Sequence, residues 1–289
     1  MFEEFEFLKD ADLSNFSTMK TGGKAKYIVF PKNVKELIKI LRIIKKNKLK
    51  YYVVGNGSNI LFRDEGYDGV LISLKHFNKI EIDDVYVNVG AGTNLFYLNH
   101  FLQKNGLGGL EWSYGIPATL GGLIANNGGC FGHEICEFVE EVIVLQKMKA
   151  FVLSKDEIDF SYRFSSLKDN FIILCAKLKL KKEDPEIIKN NMINFLEKKR
   201  KLQPCEFPSL GSIFKKRIVG DEILYPAKLI DNLGLKGVKI GGAEISTKHA
   251  GFIINVGGAK TQDVVDLIEY IEKKLAEIGV NAEKEIIIL

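Results

Sequence analysis

The chain is poor in the residues that build the commoner kinds of site. Its four cysteines, Cys130, Cys136, Cys175 and Cys205, form no C-x-x-C pair, which argues against a disulfide framework or a zinc cluster. Histidine is equally scarce at four residues, and no metal site is expected. No G-x-x-x-x-G-K-[ST] occurs, so a P-loop enzyme is not expected. Gly55-Asn56-Gly57-Ser58-Asn59-Ile60 and Gly90-Ala91-Gly92-Thr93-Asn94-Leu95 both lack the third glycine of the Rossmann signature. No apolar run reaches transmembrane length, and MFEEFEFLKD is acidic where a secretory leader needs basic residues. Arginine is sparse too. Arg42, Arg63, Arg163, Arg200 and Arg217 are the only ones, and the formal net charge of +4 is too weak to imply a nucleic-acid partner. The expectation is a soluble cytoplasmic protein without membrane or nucleic-acid partners, whose ligand is a small anion.

What the chain does have is glycine in two crowded turns, each fed by an apolar run. The first is VVGNGSNILF, Val53 to Phe62, and the second is GIPATLGGLIANNGG, Gly115 to Gly129. Turns rich in Gly, Asn and Ser can aim several backbone N–H groups into one concavity and so hold phosphate without a cationic side chain. Two of them suggest a long dinucleotide held at more than one place, hence a cofactor enzyme. The length of 289 residues, 46% of them hydrophobic, suits about two domains with real cores.

Helical spacing over Asn33–Leu49, with Asn33 as cap, predicts the first helix. Strands are expected at Tyr51–Gly55, Val70–Leu74 and Val85–Val89. A second helix runs from Asn94 to Asn105 and is closed by Gly106. A third, Thr119 to Asn126, begins inside the second glycine turn and offers its N-terminus to an anion. Val139–Leu145, Ala150–Leu153 and Phe171–Leu180 read as strands. Asp184-Pro185 opens a long helix to Leu202. Beyond it, strands are expected at Ser212–Lys215, Gly251–Val256 and Glu283–Leu289, and helices at Pro226–Leu233 and Thr261–Ile278. Without regular βαβ alternation, the fold class is α+β.

Set end to end, these segments resemble the flavoenzyme family of UDP-N-acetylenolpyruvoylglucosamine reductases over nearly the whole chain. Thr21-Gly22-Gly23-Lys24-Ala25 looks like its opening motif, and VGNGSNILFRDEGYDGV and GIPATLGGLIANNGGCFG like its two flavin loops. FSYRFS holds its Tyr-Arg pair, PSLGSIFKK its Gly-Ser-x-Phe-Lys, and EKEIII its closing E-x-E-V. Ala118 stands where glycine is usual, Lys216-Arg217 where Asn-Pro is common, and Ile287 where an arginine is usual. The short chain between Arg163 and Phe171 looks like the type II form.

The resemblance implies an FAD-binding domain of the vanillyl-alcohol-oxidase type over 1–182, in two lobes split near 75. A smaller α+β substrate-binding domain would follow over 183–289, with a last strand that can return to the first. It implies FAD and NADPH as cofactors, a UDP-sugar enolpyruvyl ether as substrate, and peptidoglycan synthesis as the setting. A monomer is expected. FAD would lie along Gly55, Asn56, Gly57, Ser58 and Asn59, and along Gly115, Thr119, Gly121 and Gly122. Arg163 would stabilise the charge that builds on the substrate carboxylate, since its planar fork can grip a carboxylate in two places. Ser212 would donate the proton, with Lys215 steadying the alkoxide left behind, and Glu285 would polarise the substrate or relay a proton. Glu283, of the same parity, is the rival to Glu285. Tyr162, Lys215, Lys228 and Lys248 are candidates for the diphosphate, and His249 for a substrate contact or a structural role. A flavin oxidase of the same fold and a non-catalytic nucleotide binder are the alternatives.

Overall fold

The computed structural model describes residues 1–219 and 222–289. The chain forms two compact units. One comprises Met1–Lys9, Tyr27–Asn56 and Gly69–Lys198, the other Asp10–Lys26, Gly57–Asp68 and Lys199–Leu289, and each has its own buried core.

The core of the first unit is built on an antiparallel five-stranded sheet. Its order is Lys149–Ser154, Val139–Gln146, Ile172–Lys179, Tyr86–Gly90, Ile80–Asp83. Val87 and Val89 alternate inward, as do Ala176 and Leu178 opposite them, so two-residue periodicity sets the buried face. A second sheet of four strands runs Phe7–Asp12, Lys24–Val29, Tyr67–Ser73, Tyr51–Val54, the last two parallel. Helix α1, Val34–Lys46, buries Leu37, Ile40, Leu41 and Ile44 at helical spacing. The Asn33 side chain accepts from Glu36 N–H at 3.0 Å and starts the helix where the sequence predicted. Helix α2, Leu95–Lys104, is capped in the same way by Asn94, and Gly106 follows it with φ +63°. Helix α3, Leu120–Ala125, is six residues long, under two turns. The long helix α4, Pro185–Leu202, is opened by Asp184, whose carboxylate accepts from Glu186 N–H at 2.7 Å.

The second unit carries an antiparallel sheet ordered Ser209–Ser212, Phe252–Asn255, Ala243–Ile245, Lys239–Ile240. Helix α5, Pro226–Asn232, adds Ile230 to its core. Helix α6, Thr261–Glu277, adds Val264, Leu267, Ile268, Ile271 and Leu275. The N-terminal amides of α6 at Thr261 and Gln262 are both bound by the Asp64 carboxylate at 2.9 Å.

Two expected strands differ. The segment expected at Ser212–Lys215 pairs three residues earlier, as Ser209–Ser212, and an irregularity between Ser209 and Ser212 marks where the chain bulges at Gly211, φ +79°. The expected strand Glu283–Leu289 divides its pairing: Lys284 bridges Phe214, whereas only Ile287–Ile288 run as a strand, parallel to Ile60–Leu61. The chain changes partners partway along, so neither partner extends the ladder.

Candidate active site

In the first unit the glycine turns meet. A Cβ on Gly55 would stand 2.5 Å from Thr119 Oγ1, and one on Gly121 2.8 Å from the Ala91 Cβ. Glycine at both positions therefore allows protein segments to pack closely. The Gly90–Asn94 turn joins them, with Leu120 N–H donating to Thr93 C=O at 2.9 Å and Gly121 N–H to Ala91 C=O at 2.8 Å. Thr119 caps α3 by accepting from Gly122 N–H at 3.3 Å. A Cβ on Gly122 would meet only that threonine oxygen, at 3.4 Å, so the backbone there has an open side. Thr93 is 1% exposed, yet its hydroxyl has no hydrogen-bond partner among the described residues. Gly115 has φ +90°, a conformation that favours glycine.

Arg163 sits in the two-residue connection of a hairpin, Phe160–Ser161 paired with Phe164–Ser165. Its φ is +56°, in the left-handed region where a non-glycine residue costs roughly 1–2 kcal/mol. Arg163 Nη2 donates to Gly129 C=O at 3.0 Å, and its guanidinium stands 5.0 Å from the Tyr162 ring centroid. The arginine is thus tied to the far end of the second glycine turn.

In the second unit a short antiparallel pairing collects the remaining candidates. Glu285 N–H donates to Ile213 C=O at 2.7 Å and Lys215 N–H to Glu283 C=O at 2.8 Å. Ser212 is half-buried, and its hydroxyl has no partner among the described residues. Lys215 Nζ instead binds Glu283 Oε1 at 2.6 Å. Glu283 is exposed and occupied by the lysine, whereas Glu285 is half-buried. Asn59, expected on the cofactor, directs its side-chain amide to Glu285 C=O at 3.1 Å, while its own C=O accepts from Ile287 N–H at 3.0 Å. Arg217 Nη1 donates to Asn281 C=O at 2.6 Å and fastens the same segment further upstream. Gly57 could not carry a Cβ, which would lie 1.9 Å from Phe16 C=O.

Among the other candidates, Lys248 pairs with Glu206 at 3.4 Å and Lys228 is exposed. His249 Nδ1 accepts from Gly251 N–H at 3.1 Å, and its ring meets Phe252 edge-on at 4.9 Å. Burial holds its pKa below the ordinary histidine value, the nearby Lys236 acting in the same direction and Asp231 and a backbone bond in the opposite one.

Residues 25–148 match the family described as FAD binding domain, and residues 203–289 that described as UDP-N-acetylenolpyruvoylglucosamine reductase, C-terminal domain. The chain is 43% identical over 276 residues to the UDP-N-acetylenolpyruvoylglucosamine reductase of Thermotoga sp. (strain RQ2), covering 95% of this chain and 90% of that one. With the reductase of Caldicellulosiruptor saccharolyticus it shares 42% over 288 residues, 97% of this chain and 91% of the other. The solved reductase from Thermus caldophilus superimposes with a TM-score of 0.82 at 31% identity over 98% of both chains. The chain belongs to the UDP-N-acetylenolpyruvoylglucosamine reductase family. It is an FAD-dependent oxidoreductase of the α+β class, as the sequence motifs implied.

The residues present fit a bound dinucleotide. The buried, partnerless Thr93 hydroxyl and the open side of Gly122 lie in the cluster of turns that the FAD-binding match covers. Asn56 and Ser58 are half-buried and make no side-chain hydrogen bond among the described residues. Arg163 lies between the two matched ranges, so the family models do not cover the hairpin that carries it. Sequence reasoning missed Asn127, which bonds to Glu134 and to Ser161 of the hairpin that carries Arg163, and the part that Asn59 plays. A signal existed for Asn127: a paired asparagine before two glycines, where a left-handed backbone suits asparagine.

Proposed function

We propose that this chain reduces the enolpyruvyl ether of UDP-N-acetylglucosamine to UDP-N-acetylmuramate, with NADPH as reductant, and that Arg163, Ser212 and Glu285 carry the reaction. Bound FAD supplies the hydride, which no side chain can provide. Hydride enters one carbon of the enol ether and a proton its neighbour, so the C=C bond is consumed and the lactyl ether remains. Arg163 grips the substrate carboxylate and stabilises the negative charge as the enolate forms. A charge-assisted bond of this kind contributes roughly 1.5–3 kcal/mol and more in a dry site. Ser212 gives its proton to the carbon, a transfer worth roughly 10²–10⁴ in rate. A serine is a poor acid in water, but an enolate carbon is a strong base. Glu285 polarises the substrate or relays the replacement proton. Gly55, Asn56, Gly57, Ser58, Asn59, Gly115, Thr119, Gly121 and Gly122 hold the cofactor, and the Asn59 side chain also holds the Glu285 carbonyl. Tyr162, Lys215, Lys228, Lys248 and His249 serve the diphosphate and its surroundings.

The observation that carries the reading is the pairing of Ile213 with Glu285, which seats Ser212, with its uncommitted hydroxyl, on the chain segment opposite the glutamate. It is supported by family membership over both matched ranges. The same reading includes a monomeric, cytoplasmic enzyme without nucleic-acid partners, and a functional division into 1–182 for the cofactor and 183–289 for the substrate. Among the described residues no helix is long and apolar enough to cross a membrane.

The test is a visible spectrum followed through both half-reactions. A yellow protein bleached by NADPH and recoloured anaerobically by the UDP-sugar enol ether is expected. Bleaching without anaerobic recolouring would overturn the assignment of substrate.

A further inference from the structure

We infer that Asn127 is a positioning residue for Arg163: it clasps the arginine's hairpin to the second glycine turn. The inference rests on the role given to Arg163 above. Asn127 is 0% exposed and has φ +40°, just past the end of α3. Its side-chain amide is fully engaged. One N–H donates to Glu134 Oε2 at 2.8 Å and the other to Ser161 C=O at 3.0 Å. Oδ1 accepts from Cys136 N–H at 3.2 Å.

Ser161 immediately precedes Tyr162 and Arg163, and Arg163 reaches back to Gly129, two residues beyond Asn127. Segments 127–129 and 161–163 are therefore joined by two bonds of opposite sense. In one, a side chain of the turn donates to the hairpin backbone; in the other, a side chain of the hairpin donates to the turn backbone. The hairpin's own ladder is short, two strand pairs closed off by bonds between Asp159 and Ser166, and a two-stranded ribbon of this length gains from an anchor outside itself. When Arg163 turns to a substrate carboxylate and gives up Gly129, the bond from Asn127 to Ser161 still ties the hairpin to the second glycine turn. Only a primary amide supplies two donors and an acceptor in that space. An aspartate would aim carboxylate oxygens at Glu134 and at the Ser161 carbonyl, leaving like partial charges face to face.

The test compares FAD-loaded wild type with Asn127→Asp. Amide hydrogen exchange at 161–165 is expected to quicken about tenfold or more, the usual effect of losing one buried bond, while amides of the five-stranded sheet are unchanged. NADPH should still bleach the flavin within about threefold of the wild-type rate, whereas reoxidation by the UDP-sugar enol ether slows about tenfold or more. Equal slowing of both half-reactions, or loss of the flavin, would make Asn127 a support of the whole turn and overturn the proposal. Unchanged exchange at 161–165 would also overturn it. If Asn127→Asp does not fold, Asn127→Ser, which retains one donor, decides by the same measurements. A wild type that never reoxidises with this substrate refutes the proposed function instead, and hydrogen exchange still reads the clasp.

Discussion

Arg163 and Ser212 are held in contrasting ways. Arg163 rides on a two-pair hairpin in a strained left-handed conformation, and side chains fasten its surroundings: its own guanidinium to Gly129, and the Asn127 amide to Ser161. Ser212 ends a strand of a four-stranded sheet, flanked by backbone bonds from Glu285 to Ile213 and from Lys215 to Glu283, and among the described residues its hydroxyl has no partner. Backbone ladders tolerate changes of side chain, whereas side-chain clasps do not. The first place should therefore be fragile to substitution around the functional residue, and the second robust.

The sharpest test of that contrast is Ser212→Ala. Because the hydroxyl has no partner among the described residues, its loss orphans no bond and should alter stability by less than about 0.5 kcal/mol. NADPH should still bleach the flavin, while reoxidation by substrate falls by roughly 10²–10⁴. Retained turnover would remove Ser212 as the donor. Arg163→Lys comes next. It keeps the charge but loses the planar fork and the reach to Gly129, and should slow reoxidation by about 10–100-fold, a cost of roughly 1.5–3 kcal/mol. Stopped-flow traces of the oxidative half-reaction would show it. A lysine variant as fast as wild type would mean that charge alone suffices and that the hairpin's geometry is not selected.

The same contrast governs what could be read from sequence. Helices announced themselves through local chemistry: Asn33, Asn94 and Asp184 cap the helices predicted to follow them, because a cap is a bond between near neighbours. The strands Phe7–Asp12 and Lys24–Val29 were missed because charged residues interrupt their apolar positions and pairing with distant partners overrides the pattern. Motifs pointed to Arg163, Ser212 and Glu285 as candidates. They did not reveal that Asn59 holds the Glu285 carbonyl, a bond spanning 226 residues, or that Lys215 is occupied by Glu283. Those are long-range choices of partner, and spacing carries no record of them.

A smaller effect is expected at that ion pair. Glu283→Gln leaves the backbone bond to Lys215 intact but frees the ammonium. If Lys215 meets the substrate diphosphate, the carboxylate competes with it. The variant should then lower KM for the UDP-sugar by about two- to fivefold at low salt, the scale of an exposed pair, and the gain should shrink as salt is raised. A raised KM would show that Glu283 orients the lysine instead of masking it, and the second unit's site would then depend on a side-chain clasp as the first does.

The smallest effect concerns His249, whose ring is fixed by a backbone donor. Gly251 N–H points at Nδ1, so that nitrogen carries the lone pair and the ring is neutral when the bond is made. Protonation would put a hydrogen where the bond now lies, and burial disfavours the charge as well. The folded-state pKa is therefore below the unfolded one. As pH falls below about 6.5, the unfolded chain takes up a proton that the folded protein resists, and stability declines. His249→Asn retains an acceptor near Nδ1 and cannot be protonated there. Urea midpoints measured at pH 7.5 and 5.5 should separate less in this variant than in the wild type. Equal separation would mean that His249 changes partners on protonation and stays bound, so that even a backbone-held ring in this unit is free to turn.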